Sequence, residues 1–197
     1  ALVGDDLGGL IELAFIAKKD NADVYVCVSP LIQLPFIKVF EKHNANIDAV
    51  IVWDKKNAGL GYMIYRRQCE FILFHKGSPF CKGDKSDFDL WSFSKDSTSK
   101  YVHPTQKPVE LMEYLIKTYT NEGETVLDNC MGSGTTGVAA VKCNRKFIGI
   151  ESDVNYFVKA KERIETTTVV EEDIITLPLW YNYIYEIFPD YIQKRIW

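Results

Sequence analysis

The sequence has little of what marks a secreted, a membrane-spanning or a uniformly basic protein. Its cysteines number five, an odd count, and none form a C-x-x-C pair, which favours free thiols in a reducing cytoplasm over a disulfide framework or a zinc site. No apolar run is long enough to cross a bilayer, and the first residues are acidic and glycine-rich rather than basic, unlike a signal peptide. A net charge of -4 gives no general attraction for a polyanion, so any such contact requires a local patch.

The composition is that of one globular domain with a sizeable core. Of 197 residues, 47% are hydrophobic and 25% are charged. Strand-length apolar stretches alternate with stretches of helical periodicity, which predicts an α/β fold with a mostly parallel sheet and helices on both faces. A ligand of such a sheet binds at the carboxyl ends of the strands. The strands are predicted over 23–28, 49–53, 69–74, 125–127 and 147–151, the helices over 7–19, 35–43, 154–164 and onward from 108 and 137, and an irregular loop over 78–99.

The stretch from Asp128 to Thr136 is the most informative part of the chain, because it follows a predicted strand and opens into a predicted helix. Its two glycines, Gly132 and Gly134, allow a tight turn and let a ligand approach the backbone without a Cβ in the way. The helix behind the turn offers unpaired N–H groups. Such a turn predicts a nucleotide-like cofactor.

Two cofactor classes compete for this loop. The residues from Gly132 to Gly137 satisfy the G-x-G-x-x-G pattern of dinucleotide-binding proteins. Asp128, however, closes the strand with a carboxylate, which repels a pyrophosphate and attracts an ammonium group. S-adenosylmethionine has an α-ammonium, a sulfonium and no phosphate, so Asp128 favours it. Glu151 ends the next predicted strand and suits the ribose hydroxyls of either class.

A second motif runs from His103 to Pro108, upstream of Asp128. Its two prolines fix φ on both sides of a polar tripeptide, and Pro108 suits the first turn of the predicted helix. A rigid polar entry into a helix just before a glycine-loop strand is not a feature of the dinucleotide fold. The second motif therefore favours S-adenosylmethionine as well.

Together the two segments, His-Pro-Thr-Gln-Lys-Pro at 103–108 and Asp-x-x-Met-Gly-Ser-Gly-Thr-Thr at 128–136, resemble the amino-group DNA methyltransferases. More narrowly, they resemble the circularly permuted, β-type order in which the catalytic motif precedes the cofactor motif. The resemblance covers roughly residues 1–165 and implies a Rossmann-like class I methyltransferase fold. It also implies S-adenosylmethionine as cofactor, double-stranded DNA as partner, and methylation of an exocyclic amine, adenine N6 rather than cytosine N4, as in restriction-modification. The chain departs from the family at Asn129 and Cys130, where the family usually has Pro-Phe.

The resemblance assigns roles to residues of this chain. Asp128 and the glycine loop are expected to line the methionine end, Glu151 to hold the ribose, and the Lys107 ammonium to face the methionine carboxylate. His103 is expected to be structural, because the reaction needs no imidazole base, and no metal is expected. The cofactor-binding residues implied in this way are Thr105, Gln106, Lys107, Asp128, Cys130, Gly132, Gly134, Thr135, Thr136 and Glu151.

The four-residue catalytic motif of the family, Asp/Asn/Ser-Pro-Pro-Tyr/Phe/Trp, is absent from the sequence, so the catalytic residues stay unknown. The nearest string, from Ser29 to Ile32, lacks the second proline and the ring, and is interpreted as a turn at a strand end. By the family's order the motif is expected just upstream of Ala1, in a missing N-terminal piece or a second subunit. The alternatives are an inactive relic or subunit that binds S-adenosylmethionine or DNA, and a dinucleotide oxidoreductase.

Contact with DNA is expected within residues 54–102, where the resemblance places a short target-recognition region. Residues 54–107 carry ten Lys or Arg against six Asp or Glu, and form the only clearly basic segment of an acidic chain. Phosphate contacts from this segment would make binding salt-dependent. The candidate DNA contacts are Lys55, Lys56, Arg66, Arg67, Lys82 and Lys85.

Residues 166–197 differ in character from the rest and are predicted to be an aromatic-rich extension of the domain. Their many rings will not stay solvated, so they are expected to pack on the same chain or on a second copy in a homodimer.

Overall fold

The computed structural model describes residues 14–15, 18, 21–56, 68–77, 88–95 and 101–167, together with the backbone of residues 174–178. The chain divides into two compact units, residues 1–95 and 96–197. Each unit contains one sheet. Most of the first predicted helix lies outside the described residues, although Ala14 and Phe15 are helical.

The N-terminal unit contains a four-stranded mixed sheet. Its strands are β1 (Val24–Val28), β2 (Ala49–Asp54), β3 (Cys69–His75) and β4 (Leu90–Ser92), in the order β1-β3-β2-β4. Strand β3 runs antiparallel to β1 and β2, and β4 runs parallel to β2, so β1, β2 and β4 share one direction. Because β3 lies between β1 and β2, only the β2–β4 pair of this sheet is parallel, although three of its four strands share one direction.

Strand β4 corrects the prediction of an irregular loop over residues 78–99. Its three residues pair with Val52, Trp53 and Asp54 of β2, and Trp91 is buried between two exposed neighbours. A strand this short shows almost no period-two pattern, so the surrounding charged and small residues dominate the local sequence signal.

Helix α1 (Gln33–Lys42) follows β1 and supplies one side of the N-terminal core. Phe36, Val39 and Phe40 are buried at helical spacing. The rings of Phe15 and Phe40 meet edge-on with centroids 5.1 Å apart. This core also contains residues of β1 and β3, and comprises Phe15, Val24, Val28, Phe36, Val39, Phe40, Ala45 and Leu73.

The C-terminal unit contains a parallel sheet whose strands β5 (Thr125–Asp128), β6 (Lys146–Glu151) and β7 (Ile174–Pro178) pair in that order. Its helices are α2 (Val109–Tyr119), α3 (Thr135–Lys142) and α4 (Val154–Glu165), all close to their predicted positions. In the described part of the chain, no helix is long and apolar enough to span a membrane.

Strand β7 lies in the segment that the sequence predicts to be an aromatic-rich extension, for which no strand is predicted. It pairs in parallel with β6, from Phe147 opposite Ile174 to Glu151 opposite Pro178. The sheet of the C-terminal unit therefore continues beyond residue 165. The apolar run that forms β7 is only a few residues long, so its sequence pattern cannot be distinguished from the aromatic segment that follows it.

Close packing fixes α3 against both α4 and β6. Phe147 of β6 and Ile164 of α4 are fully buried. A Cβ built at Gly137 of α3 would lie 2.5 Å from Ile164 Cδ1 and 2.6 Å from Phe147 Cε1. Only glycine permits this approach at position 137, because real Cβ atoms do not come so close to other carbons.

A buried arginine holds the amino-terminal end of β6, at the opposite end of the strand from Glu151. Arg145 is 6% exposed and donates to the carbonyl oxygen of Thr120 at 2.6 Å and to its hydroxyl at 2.9 Å. It also donates to the carbonyl oxygen of Cys143. The guanidinium thereby joins the end of α2 to the start of β6.

Gly137→Ala tests the packing of α3. In an open helix the change stabilises by about 1 kcal/mol, whereas overpacking a filled core costs about 1–3 kcal/mol. We therefore expect a net loss of stability, measured by urea unfolding.

Ile164→Val is the matched control for this prediction, because it removes the Cδ1 atom that an alanine would meet. Its cost should be smaller in the Gly137→Ala background than alone. A gain in stability from Gly137→Ala would contradict the close approach of α3 to α4.

Candidate cofactor-binding site

Two acids end neighbouring strands of the C-terminal unit. Asp128 is the last residue of β5 and Glu151 the last of β6. Asp128 lies opposite Gly149 in the parallel register, so both carboxylates lie at the same edge of the sheet. This is the edge at which open parallel sheets bind ligands.

The loop after β5 is tied to the end of β6 by two hydrogen bonds. The Met131 N–H donates to the Ile150 carbonyl at 2.9 Å. The Gly132 N–H donates to Glu151 Oε2 at 2.8 Å. Glu151 therefore fixes the glycine loop in addition to facing the site.

The two glycines of the loop adopt left-handed backbone conformations. Gly132 has φ +50° and Gly134 has φ +71°, which other residues adopt only with strain. Gly134 is the N-cap of α3, and its N–H donates to the Met131 carbonyl at 2.7 Å. The structure therefore contains the predicted tight turn leading into a helix, with both glycines in the conformation that the turn requires.

Asp128 carries a carboxylate in a desolvated setting. Burial raises the pKa of Asp128, against the opposing effects of a hydrogen bond from the Thr136 hydroxyl, the Cys130 N–H at 3.1 Å and the Lys107 ammonium. Burial therefore makes the ionised form of Asp128 unfavourable in the unliganded protein. A cation that takes the place of the lost water would stabilise it.

Glu151 uses both of its oxygens to hold backbone. Oε2 accepts from Gly132, and Oε1 accepts from the Asp153 N–H at 2.9 Å. Asp153 in turn caps α4 by accepting from the N–H groups of Asn155 and Tyr156. Each carboxylate oxygen keeps a second lone pair, so Glu151 can still accept a ligand hydroxyl.

Cys130 is an exposed residue, yet desolvation by the surrounding protein raises the pKa of its thiol to about 12. The nearby carboxylates of Asp128 and Glu151 add to this effect. The thiol is protonated at neutral pH and is therefore a weak nucleophile. Among the described residues, Cys27, Cys69 and Cys143 form no disulfide.

The 103–108 segment forms a turn that is braced from within. Gln106 is 4% exposed, and its Oε1 accepts from the Val102 N–H at 3.1 Å. The Thr105 N–H and hydroxyl lie 3.2 Å and 3.0 Å from His103 Nδ1. The resemblance implies that Thr105 and Gln106 bind the cofactor, and in this structure their side chains contact His103 and Val102 respectively.

His103 packs against the glycine loop. Its ring is edge-on to the Tyr156 ring at a centroid distance of 4.3 Å, and a Cβ built at Gly132 would meet it at 3.5 Å. Burial lowers the pKa of His103, so the ring is neutral at neutral pH. This geometry agrees with the structural role expected for His103. Tyr156, its partner on α4, carried no signal in the sequence.

Sequence reasoning missed two residues that support the loop, Ser133 and Arg163. Ser133 Oγ lies 2.9 Å from Thr135 Oγ1, and Arg163 Nη1 donates to the Ser133 carbonyl at 3.0 Å. Arg163 stands three residues after Ala160 on α4, whose buried residues are Ala160 and Ile164. A basic residue on the apolar face of a helix was the signal that could have identified it.

The structure therefore brings most of the predicted cofactor residues together within the C-terminal unit. Asp128, Cys130 and Glu151 surround the turn, and the Lys107 carbonyl accepts from Thr135 Oγ1 at 3.3 Å. Gln106 and Thr135 are buried and hold other protein groups.

Two of the predicted DNA contacts, Lys55 and Lys56, lie in described residues. The Lys55 side chain is 4% exposed and pairs with Glu70 at 3.2 Å, beside the Trp53 ring at 6.0 Å. This geometry argues against Lys55 as a phosphate contact. Lys56 is exposed and lies 3.3 Å from Asp54. Arg66, Arg67, Lys82 and Lys85 lie outside the described residues.

Comparison with known proteins identifies the family. Residues 10–162 match the family model described as DNA methylase, N6_N4_Mtase. The chain belongs to this family of amino-group DNA methylases. The type II methyltransferase M2.LlaDCHI of Lactococcus lactis subsp. cremoris is 37% identical over an alignment of 177 residues that covers 78% of this chain. The DNA adenine methyltransferase YhdJ of Escherichia coli K12 is 31% identical over 152 residues, or 77% of the chain.

A solved structure agrees with the fold. The crystal structure of the M1.HpyAVI–SAM complex is 31% identical and superposes with a TM-score of 0.67 over 81% of this chain and 83% of that one. The predicted class I methyltransferase fold is confirmed, and the cofactor predicted from the sequence is the one in that complex. The chain spans 64% of the Lactococcus relative and 48% of the E. coli relative.

Asp128→Asn separates the charge of Asp128 from its shape. The pKa of Asp128 in the folded state is raised above the value of about 3.9 in the unfolded state. Folding therefore takes up a proton between these values, and the carboxylate costs stability at higher pH. We expect the asparagine variant to melt at or above the wild-type temperature at pH 7 to 8. The difference should shrink as the pH falls towards about 4.

Glu122→Gln is the control for this measurement, because Glu122 is an exposed acid before β5 in the same unit. It should leave the melting temperature unchanged across the range. A variant at position 128 that is less stable at neutral pH, by an amount independent of pH, would contradict the desolvation of Asp128.

Proposed function

We propose that this chain is the cofactor-binding part of an S-adenosylmethionine-dependent DNA methyltransferase that acts on adenine N6 in a bacterial restriction-modification setting. The observation that carries the proposal is the placement of two carboxylates, Asp128 and Glu151, beside a turn whose two glycines have positive φ angles. Membership of the DNA methylase family supports it.

The residues present fit S-adenosylmethionine by their chemistry. Asp128 supplies a carboxylate for the α-ammonium, and its desolvation strengthens that attraction. Glu151 retains acceptor capacity for ribose hydroxyls. Lys107, which interacts electrostatically with Asp128, supplies the counter-charge for the carboxylate of the methionine end. The carboxylate of Asp128 at the start of the loop would repel a pyrophosphate, which argues against a dinucleotide.

The cofactor would supply an activated methyl group on its sulfonium. This chain's residues would bind and orient it: Glu151 and Met131 hold the loop in place, and the positive φ angles of Gly132 and Gly134 expose the turn. Orientation of this kind lowers the barrier without covalent participation by the protein.

The choice of DNA, and of adenine, rests on the relatives. YhdJ is named a DNA adenine methyltransferase, and M2.LlaDCHI is named a type II methyltransferase. The base must leave the helix because its amine cannot be reached inside the duplex. The amine is a poor nucleophile, since its lone pair is delocalised into the ring, so it must also meet acceptors for its hydrogens.

Calorimetric titration of the 197-residue chain tests cofactor binding. S-adenosylmethionine should bind and NAD should not. Asp128→Ala should abolish detectable binding, because it removes the counter-charge of the ammonium. Loss of one charge-assisted hydrogen bond alone corresponds to about 1.5–3 kcal/mol.

Glu122→Ala is the matched control, since it removes an exposed acid of the same unit away from the loop. It should bind like the wild type. Unchanged affinity in Asp128→Ala, or tighter binding of NAD than of S-adenosylmethionine, would refute the assigned pocket.

Nucleoside analysis tests the methylated base. Double-stranded DNA incubated with S-adenosylmethionine and the full-length protein should yield N6-methyladenine after digestion, detected by mass spectrometry. The glycine-loop variant Asp128→Ala should yield none. N4-methylcytosine as the product would overturn the choice of base, and cofactor binding without methylated DNA would favour a regulatory subunit.

A further inference from the structure

Arg163 reaches the cofactor loop although it belongs to neither sequence motif. Its Nη1 atom donates to the Ser133 carbonyl at 3.0 Å and to Thr135 Oγ1 at 3.1 Å. Ser133 and Thr135 are both 4% exposed. A buried carbonyl without a donor is costly, so Arg163 satisfies a group that the turn cannot satisfy with its own backbone.

The hydrogen-bonding capacity of the Thr135 hydroxyl is taken up by other groups of the protein. A hydroxyl has one hydrogen to donate and two lone pairs. Thr135 Oγ1 donates to the Lys107 carbonyl at 3.3 Å, and it accepts from Arg163 Nη1 and from Ser133 Oγ at 2.9 Å. This assignment satisfies all three contacts and leaves no capacity for a ligand. Thr135 therefore joins three segments: the glycine loop, α4 and the 103–108 segment.

Helix α4 supports the same turn by packing as well. A Cβ built at Gly134 would lie 3.0 Å from Ala160 Cβ and 3.0 Å from Ile164 Cδ1. Ala160 and Ile164 flank Arg163 on the buried side of the helix. The left-handed corner at Gly134 thus rests on α4, and the hydrogen bonds of Arg163 fix the carbonyl beside it.

We propose that Arg163 is a positioning residue of the cofactor site. It fixes the Ser133–Thr135 turn and, through the Thr135 hydroxyl, holds Lys107 beside that turn. It contacts no reacting atom, and its effect on the ligand passes through Thr135 and Lys107. The proposal rests on the proposed function, because it concerns the affinity of the same site for S-adenosylmethionine.

Arg163→Met tests this role, since it keeps an unbranched apolar stem and removes the donors. The Kd for S-adenosylmethionine should rise about 10-fold to 100-fold, the range that corresponds to a lost charged hydrogen bond. In the unliganded chain, hydrogen exchange at the amides of residues 131–136 should become faster, while the amide of Phe147 in β6 should keep its protection. Arg163→Lys should restore part of both effects, because it returns a single cationic donor.

Arg145→Met is the matched control, because Arg145 is a buried arginine that bonds to backbone carbonyls at the opposite end of β6. It should lower stability without changing the Kd at temperatures well below unfolding. An equal rise in Kd for both methionine variants would show general destabilisation and overturn the proposal. Unchanged Kd and exchange in Arg163→Met would also overturn it.

Thr135→Val decides the matter if Arg163→Met does not fold, since it keeps the side-chain shape and removes only the shared hydroxyl. It should raise the Kd and speed exchange at residues 131–136, and wild-type values for both would refute the proposal. Absence of S-adenosylmethionine binding in the wild type would defeat the proposed function instead. Exchange in the unliganded variants would then still decide whether Arg163 holds the turn.

Discussion

The hydrogen bond from the Gly132 N–H to the Glu151 carboxylate is the interaction on which the site depends. Strands β5 and β6 are parallel neighbours, so their ends meet at one edge, but the loop between them has no strand partner of its own. Glu151 supplies that partner, and the Met131 N–H adds a second attachment at Ile150. The turn is therefore held in shape by the protein alone, which reduces the ordering that a ligand must impose.

The two acids at this edge have different roles, since one holds the loop in shape and the other supplies charge. Glu151 gives both oxygens to backbone N–H groups and stabilises the loop. Asp128 accepts one backbone N–H and lies where burial disfavours its ionised form. A carboxylate whose ionised form is disfavoured by burial raises the affinity of the site for a cation. The same carboxylate lowers the stability of the unliganded protein. The sequence alone could not separate these roles, because both acids simply end a strand.

Much of the C-terminal unit could be predicted because its elements are long, periodic and punctuated by glycine and proline. The left-handed turn at Gly134 and the helix after Pro108 follow from local chemistry. The remainder depends on partners distant in sequence. The charge of the buried Lys55 is paired with Glu70 on strand β3. The buried Gln106 accepts a hydrogen bond from the Val102 N–H. No local pattern distinguishes such residues from exposed ones of the same type.

Strand β7 has a practical consequence for anyone who shortens this chain. It pairs with β6 on the side away from β5. A fragment cut after α4 would strip one flank of β6 of its backbone partners, and an exposed row of N–H and C=O groups recruits strands from other molecules. Removal of the aromatic-rich segment for crystallisation should therefore spare residues up to Pro178. Otherwise the truncated protein is prone to form intermolecular sheets.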